Sequence, residues 1–292
     1  MRAPAAALAL ALLATATATA TGCGADGRAG AVQVTVTERF GSIPRGQRVV
    51  AELPDSATAQ QLLTTATGAT AGPAWFAFVD GIEAPPGSDD AKVRPGDRVW
   101  LDRHDPGPAK SIPAVVGSFP EPFRSGIAGK RLPVRIECED TGGQACAETR
   151  NRLARAGIAA GSAVLGGSSA GRIIRVLVGR WPALRRTPEI QLIEDGPAKS
   201  GVFARMDPSG DRLTVLDARG RAVGTLGAGA GLVAATRGET LEGEEGATWI
   251  VTGTDDRGVL AAAKALEEGV LGNRFALAIA PDGVGVPLPK VR

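Results

Sequence analysis

The apolar positions of this chain change their period along its length. Over residues 31–37 they alternate, with Val32, Val34 and Val36 on one side, which predicts a strand. Residues 49–53 predict a second strand. Between the two, residues 40–47 read as a hairpin loop, because Ile43-Pro44-Arg45-Gly46 carries turn residues. Ala59, Leu62 and Leu63 then recur at helical spacing, with Asp55 or Ser56 as candidate N-cap and Gly68 as the stop. Trp75, Phe76 and Phe78 mark a strand over residues 74–79 that turns at Asp80-Gly81. Residues 93–101 turn at Arg94-Pro95-Gly96-Asp97 and end in a last strand bearing Val99 and Trp100.

A Pro- and Gly-rich stretch, residues 105–112, marks a boundary. Val115 to Phe123 holds too much proline for a central strand and reads as a connector anchored by Phe119 and Phe123. An alternating αβ pattern follows: a strand over 134–138, a helix over 145–156 with Cys146, Thr149, Leu153 and Ala156 on its apolar stripe, and a strongly apolar strand over 173–178. Trp181 to Leu184 reads as a turn. Short strands are expected at 190–193, 201–204, 213–216 and 232–235, with Asp217 to Gly220 turning into Ala222 and Val223. The clearest unit is the last: a strand over 249–252, a cap at Thr254 or Asp255, a helix over 257–268 ended by Gly269, and a strand over 275–280, together a βαβ-like unit. Pro287-Leu288-Pro289 reads as a tail. The fold class is α+β, with a first domain over 31–104, a linker over 105–112 and a mixed α/β domain over 113–292.

The chain opens on Met1-Arg2 and runs uncharged through Ala, Leu and Thr to Gly22, the pattern of a secretory signal. The run is too diluted by threonine for a permanent span, which needs roughly 20 mostly apolar residues. Ala20-Thr21-Gly22-Cys23 resembles the lipobox of bacterial lipoproteins of actinobacterial type. That resemblance implies a signal over 1–22, lipid on Cys23, a tether over 23–30 and anchoring to the outer face of the cell membrane. The competing reading is an ordinary cleaved signal ending at Ala25. With Cys23 lipidated, Cys138 and Cys146 remain, and an oxidising compartment permits their pairing; two free buried thiols are the alternative.

Composition narrows the function classes. The chain is 43% hydrophobic and rich in Gly and Pro, so small residues and turn formers dominate, but its Val, Ile and Leu patterning argues for packed structure. A formal charge of +2, with acids and bases mixed and no basic aromatic stripe, makes nucleic acid an unsuitable partner. No cofactor or metal motif is present. Gly166-Gly167-Ser168-Ser169-Ala170-Gly171-Arg172 lacks the Lys-Ser/Thr pair of a phosphate loop and precedes the apolar strand that such a loop should follow. The one histidine, His104, sits in a polar run and reads as a solvated surface residue without a nucleophile beside it. Glu121 stands without a visible partner, and Glu194-Asp195 and Asp255-Asp256 read as turn or cap acids. These residues point to a non-enzymatic protein.

Hairpin, helix and further strands are the order of a β-grasp fold, so the first domain is expected to be β-grasp-like. Two stretches carry a more specific resemblance: Trp75-Phe76-Ala77-Phe78-Val79-Asp80-Gly81-Ile82 and Val93-Arg94-Pro95-Gly96-Asp97-Arg98-Val99-Trp100. Residues 31–104 resemble a bacterial domain family of unknown function related to the C-terminal domain of transcobalamin and intrinsic factor. They depart from it at Leu101, where a second aromatic is common. The resemblance implies a cobalamin-like molecule as one ligand class. Trp75, Phe76 and Trp100 form the candidate ligand surface, with core packing as the competing role for the tryptophans. The expected function is an envelope lipoprotein that binds a small molecule or a partner protein; the alternative is a structural or assembly lipoprotein without a small-molecule ligand.

Overall fold

A computed structural model describes residues 30–54, 56–167, 172–239 and 245–291. The expected signal, Cys23, the tether, Asp55 and part of the Gly-rich stretch, residues 168–171, lie outside the described residues. The chain is α+β. Its first module is a five-stranded sheet in the order β2-β1-β5-β3-β4, with strands β1 (Val32–Glu38), β2 (Ile43–Val50), β3 (Trp75–Val79), β4 (Ile82–Glu83) and β5 (Arg98–Arg103). β1 pairs antiparallel with β2 and parallel with β5. The alternation read in β1 places Val32, Val34 and Val36 in the core under helix α1 (Ala59–Thr67).

Two local expectations change here. The hairpin turns at Arg39, Phe40 and Gly41, all with positive φ, so β2 starts at Ile43 and includes Pro44-Arg45-Gly46. Proline is tolerated because β2 is an edge strand, where a missing N–H breaks no ladder. α1 is capped by Thr58 and not by Ser56. The Thr58 hydroxyl accepts from the Gln61 N–H and the Gln61 side chain accepts from the Thr58 N–H, a reciprocal pair that satisfies two orphan donors. Gly68, in the left-handed conformation, ends the helix as expected.

The second module is built on a seven-stranded sheet in the order β15-β14-β12-β13-β8-β6-β7. Strand β6 (Val134–Cys138), helix α2 (Gln144–Arg155) and strand β7 (Ala160–Val164) form one βαβ turn, and β8 (Ile174–Arg180) lies parallel to β6 on its other side. After β8 the chain crosses the opposite face through helices α3 (Trp181–Leu184), α4 (Pro188–Glu194) and α5 (Pro197–Ser200). It then forms a three-stranded sheet of β9 (Ala204–Met206), β10 (Leu213–Leu216) and β11 (Ala222–Leu226). β12 (Gly231–Glu239) and β13 (Glu245–Gly253) return to the main sheet. Helices α6 (Asp256–Lys264) and α7 (Glu268–Leu271) lead to β14 (Ala276–Ile279) and β15 (Gly285–Leu288).

The strand expected at 190–193 is therefore helical: Pro188 sits in the first turn of α4 and its buried isoleucines, Ile190 and Ile193, are three apart. The turn at 181–184 is one turn of helix. β9 begins where the strand expected at 201–204 ends, β7 was not expected, and the expected tail pairs as β15 with β14. The long helix expected over 257–268 breaks after Lys264. In the last unit, β13 and β14 run parallel but with β12 between them, antiparallel to both.

The two modules share a core. One face of the first sheet meets α1; the other carries Phe40, Phe76, Phe78 and Trp100 into a cluster with Phe203 and Phe275 of the second module. Gly41 lets the turn approach the Asn273 carbonyl so closely that a Cβ there would lie 2.0 Å from its oxygen. The expected linker docks at its end, where the Ile112 N–H donates to the Glu83 carboxylate, and the residues after it continue the contact: the Glu83 N–H donates to the Pro113 carbonyl and the Val115 N–H to the Gly81 carbonyl. Phe119 and Phe123 anchor the connector against Trp249, with ring centroids 5.9 and 4.8 Å away.

Candidate functional site

The edge of the first module holds a cleft of about 410 Å³ beside Trp75. Its position follows from strand alternation. Trp75 points to the α1 face at the start of β3, where it packs at the edge of the first module's core and stays half-buried. Leu63 of α1, Pro73, Pro85 and Pro86 form apolar walls, and Phe76 also borders the cleft. Gln60 fixes one wall by donating from Nε2 to the Ala84 carbonyl at 3.1 Å. The charged groups are Glu83 and, at the exposed rim, Lys110. The Glu83 carboxylate accepts from the Ser111 hydroxyl and from the Ile112 N–H at 3.0 Å, both on Oε2. Burial pushes the Glu83 carboxyl above its ordinary range, against the lowering effect of those two hydrogen bonds.

The other candidate rings are placed differently. Trp100 is 3% exposed and Phe76 4% exposed, both in the core shared by the modules. Trp100 also borders a smaller cleft of about 220 Å³ with Gly117 and Asn273. Its indole N–H donates to the Thr37 hydroxyl at 2.8 Å, and that hydroxyl donates to the Asp102 carboxylate. Asp102 also accepts from the Phe40 and Gly41 N–H groups at 3.1 and 2.8 Å and lies 2.5 Å from His104 Nδ1.

His104 is thus not a solvated surface residue. It is 5% exposed and stacks between Phe40 and Phe76, with centroids 3.7 and 4.1 Å away. An ionised carboxylate only accepts, so Nδ1 carries the proton, and Nε2 is buried without a partner. An Asp–His pair can serve as a general base, but here rings cover the imidazole on both faces and no hydroxyl or thiol among the described residues hydrogen-bonds Nε2. Its signal in the sequence was the spacing of Trp100, Asp102 and His104, which at period two places all three on one face of a strand that extends past Leu101.

A third cleft, also about 410 Å³, lies at the carboxyl ends of β6 and β8. The chain leaves these neighbouring strands toward opposite faces, α2 on one and α3 on the other, which is where open parallel sheets place crevices. Its one guanidinium is already paired. Arg180 pairs with Glu139 at 2.6 Å and with Asp256 at 3.5 Å, and the guanidinium holds Glu139 below the usual carboxylate range against a burial effect of opposite sign. The Cys138–Cys146 disulfide ties the end of β6 to the first turn of α2 beneath this crevice.

The remaining acids take structural roles. Asp255 caps α6 by accepting from the Gly258 N–H at 2.8 Å. Glu194 accepts from the Trp181 indole at 3.2 Å. Glu121, read as isolated, is buried beside Asp80 and Asp97 and accepts from the Ser125 N–H at 2.8 Å. Among the described residues no group of three His, Cys, Asp or Glu could hold a metal ion, and no helix is long and apolar enough to cross a membrane. Comparison with family models, with curated proteins and with solved structures finds no match to the chain.

Proposed function

We propose that this protein is an exported, lipid-anchored binding protein that takes a small molecule in the Trp75 cleft without transforming it. One observation carries the reading: Trp75 stands half-buried at a cleft of about 410 Å³ with largely apolar walls. That size and lining suit a small-molecule site, and a perturbed carboxylate within it strengthens the reading. The crevice at the sheet edge has comparable volume, but its guanidinium is already paired. The strand order β2-β1-β5-β3-β4 with α1 on one face supports a β-grasp-like first domain. A whole corrinoid is too large for this cleft to enclose, so the cleft favours a smaller ligand than cobalamin.

The test is a thermal-shift screen of small ring-bearing compounds against the exported chain and against Ala71→Trp, which fills the cleft from its exposed rim. Compounds that stabilise the parent and not the variant support the reading; equal stabilisation of both, or none of either, rejects it. Anchoring is tested separately: Cys23→Ser should move the protein from the membrane fraction to the soluble exported fraction, and unchanged fractionation contradicts lipidation.

A structural or assembly role has its own support at β7. This edge strand, Ala160-Gly161-Ser162-Ala163-Val164, has no charge and no proline, and Val164 is 63% exposed. Such an edge can accept a partner strand. If Ser162→Lys disturbs envelope assembly while the Trp75 cleft proves empty of function, this second role is favoured.

A further inference from the structure

We infer that the cleft of about 220 Å³ at the junction of the two modules, beside Trp100, is a second binding site, independent of the Trp75 cleft, and that it takes one ring of a neutral sugar.

The first sheet presents one side of the site. Val32, Val34 and Val36 point to the core under α1, so Gln33 and Thr35, alternating with them, point to the face that meets the second module. The register sets Thr35 between Gln47 of β2 and Trp100 of β5, and Gln33 beside Arg98, so these side chains are neighbours on that face. Ser118 of the connector and Asn273, in the turn between α7 and β14, border the same cleft from the other side.

Gln33, Thr35, Gln47, Ser118 and Asn273 make no side-chain hydrogen bond among the described residues. For the two glutamines, exposed to water, that is ordinary. For Ser118, 5% exposed, and for the half-buried Thr35 and Asn273 it is not, because polar groups taken from water find partners in a folded protein. Asn273 also holds φ at 58°, where glycine would sit without strain; asparagine adds an amide to the cleft wall instead.

Charge selects the ligand class. Arg98 and Glu268, the charged side chains at the cleft, are joined to each other at 2.6 Å across the modules, so neither is left for an ion. Three amides and two hydroxyls remain. Each both donates and accepts, as a sugar hydroxyl requires, while Trp100 and Phe119 offer apolar contact to ring carbons. The volume lies below the about 300–1,000 Å³ of most small-molecule sites, so the cleft admits one ring and not a chain of them.

The test is ligand-observed NMR on the full exported chain. The probes are neutral hexoses and pentoses, each as the single ring and as a trisaccharide, with the amino sugar and the uronic acid of the same ring as charged controls. At least one neutral sugar is expected to bind saturably at millimolar concentration, and both charged rings more weakly. Gln33→Leu and Thr35→Val, at strand positions that accept apolar residues, should each weaken the neutral sugar by about fivefold, the worth of one hydrogen bond. Trp75→Ala should leave its affinity unchanged. A trisaccharide that binds as well as its single ring identifies the end of a glycan as the ligand; one that does not identifies a free sugar. The inference is overturned if no neutral sugar binds, if a charged ring binds as tightly, or if affinity is lost in Trp75→Ala. It is equally overturned if both strand variants, folded by circular dichroism, bind as the parent does.

Discussion

Asp102 shows how much one side chain can hold in this interior. Four donors converge on its carboxylate: the Thr37 hydroxyl, the Phe40 and Gly41 N–H groups and His104 Nδ1. Asp102→Ala would leave all four without a partner in a region closed by aromatic rings. Each stranded donor costs about 1–3 kcal/mol, so a loss of about 4 kcal/mol or more is expected in urea denaturation of the exported chain. Asp80 acts in the opposite sense. Burial, with the charge of Asp97 beside it, pushes its carboxyl up to about 8 against an ordinary value of 3.8, so the folded protein holds a proton there that the unfolded chain releases. With the folded pKa above the unfolded one, its stabilising contribution is complete below about pH 4 and is lost progressively as pH rises to about 8. Asp80→Asn keeps the site neutral at every pH. The variant should gain stability over the parent from pH 5 to 8, by an amount on the order of 3 kcal/mol at the upper end. A constant difference across that range, measured by denaturation at each pH, would show that Asp80 is already ionised in the folded protein.

At the scale of elements, the close contact of α6 with β12 is set by residues without side chains. A Cβ on Gly258 would lie 2.1 Å from the Ala230 carbonyl oxygen, and one on Gly231 would lie 2.4 Å from the Gly258 oxygen. Gly258→Ala would gain up to about 1 kcal/mol of helix propensity and yet force two backbones apart, which costs more. A net destabilisation of about 2 kcal/mol is expected, read as a lowered melting temperature. Elements like β1, α2 and α6 were legible because one face of each is apolar at a fixed period. β7 was not legible, since Ala160-Gly161-Ser162-Ala163-Val164 carries no alternation and forms only because β6 offers it a partner. α4 was misread because two isoleucines three residues apart fit a short buried strand as well as a helix, and Pro188 in its first turn was the deciding residue. The hairpin failed for a related reason: turn-type residues at 43–46 were given to a loop, while a tertiary edge position admitted them into β2.

At the scale of the whole molecule, the two modules bury their aromatic residues against each other, and this decides which candidate site residues remain reachable. Period-two spacing in the sequence correctly sends Trp75 and Phe76 to opposite faces, but it carries no signal that a second module covers one of them. Nor does it show Glu83 meeting Ser111 and Ile112. Those placements are contacts between segments distant in sequence, which local patterns do not encode. Of the four tryptophans, Trp181 and Trp249 are fully buried and Trp100 is 3% exposed, so Trp75 alone is open to a dissolved quencher. This makes acrylamide quenching of the full exported chain, titrated with the low-mass fraction of an envelope extract, the most direct test of the ligand site. The account predicts one accessible tryptophan component, absent in a folded Trp75→Ala variant, that becomes protected saturably as the extract is added. An accessible component that survives Trp75→Ala, or one that no amount of extract protects, would contradict it.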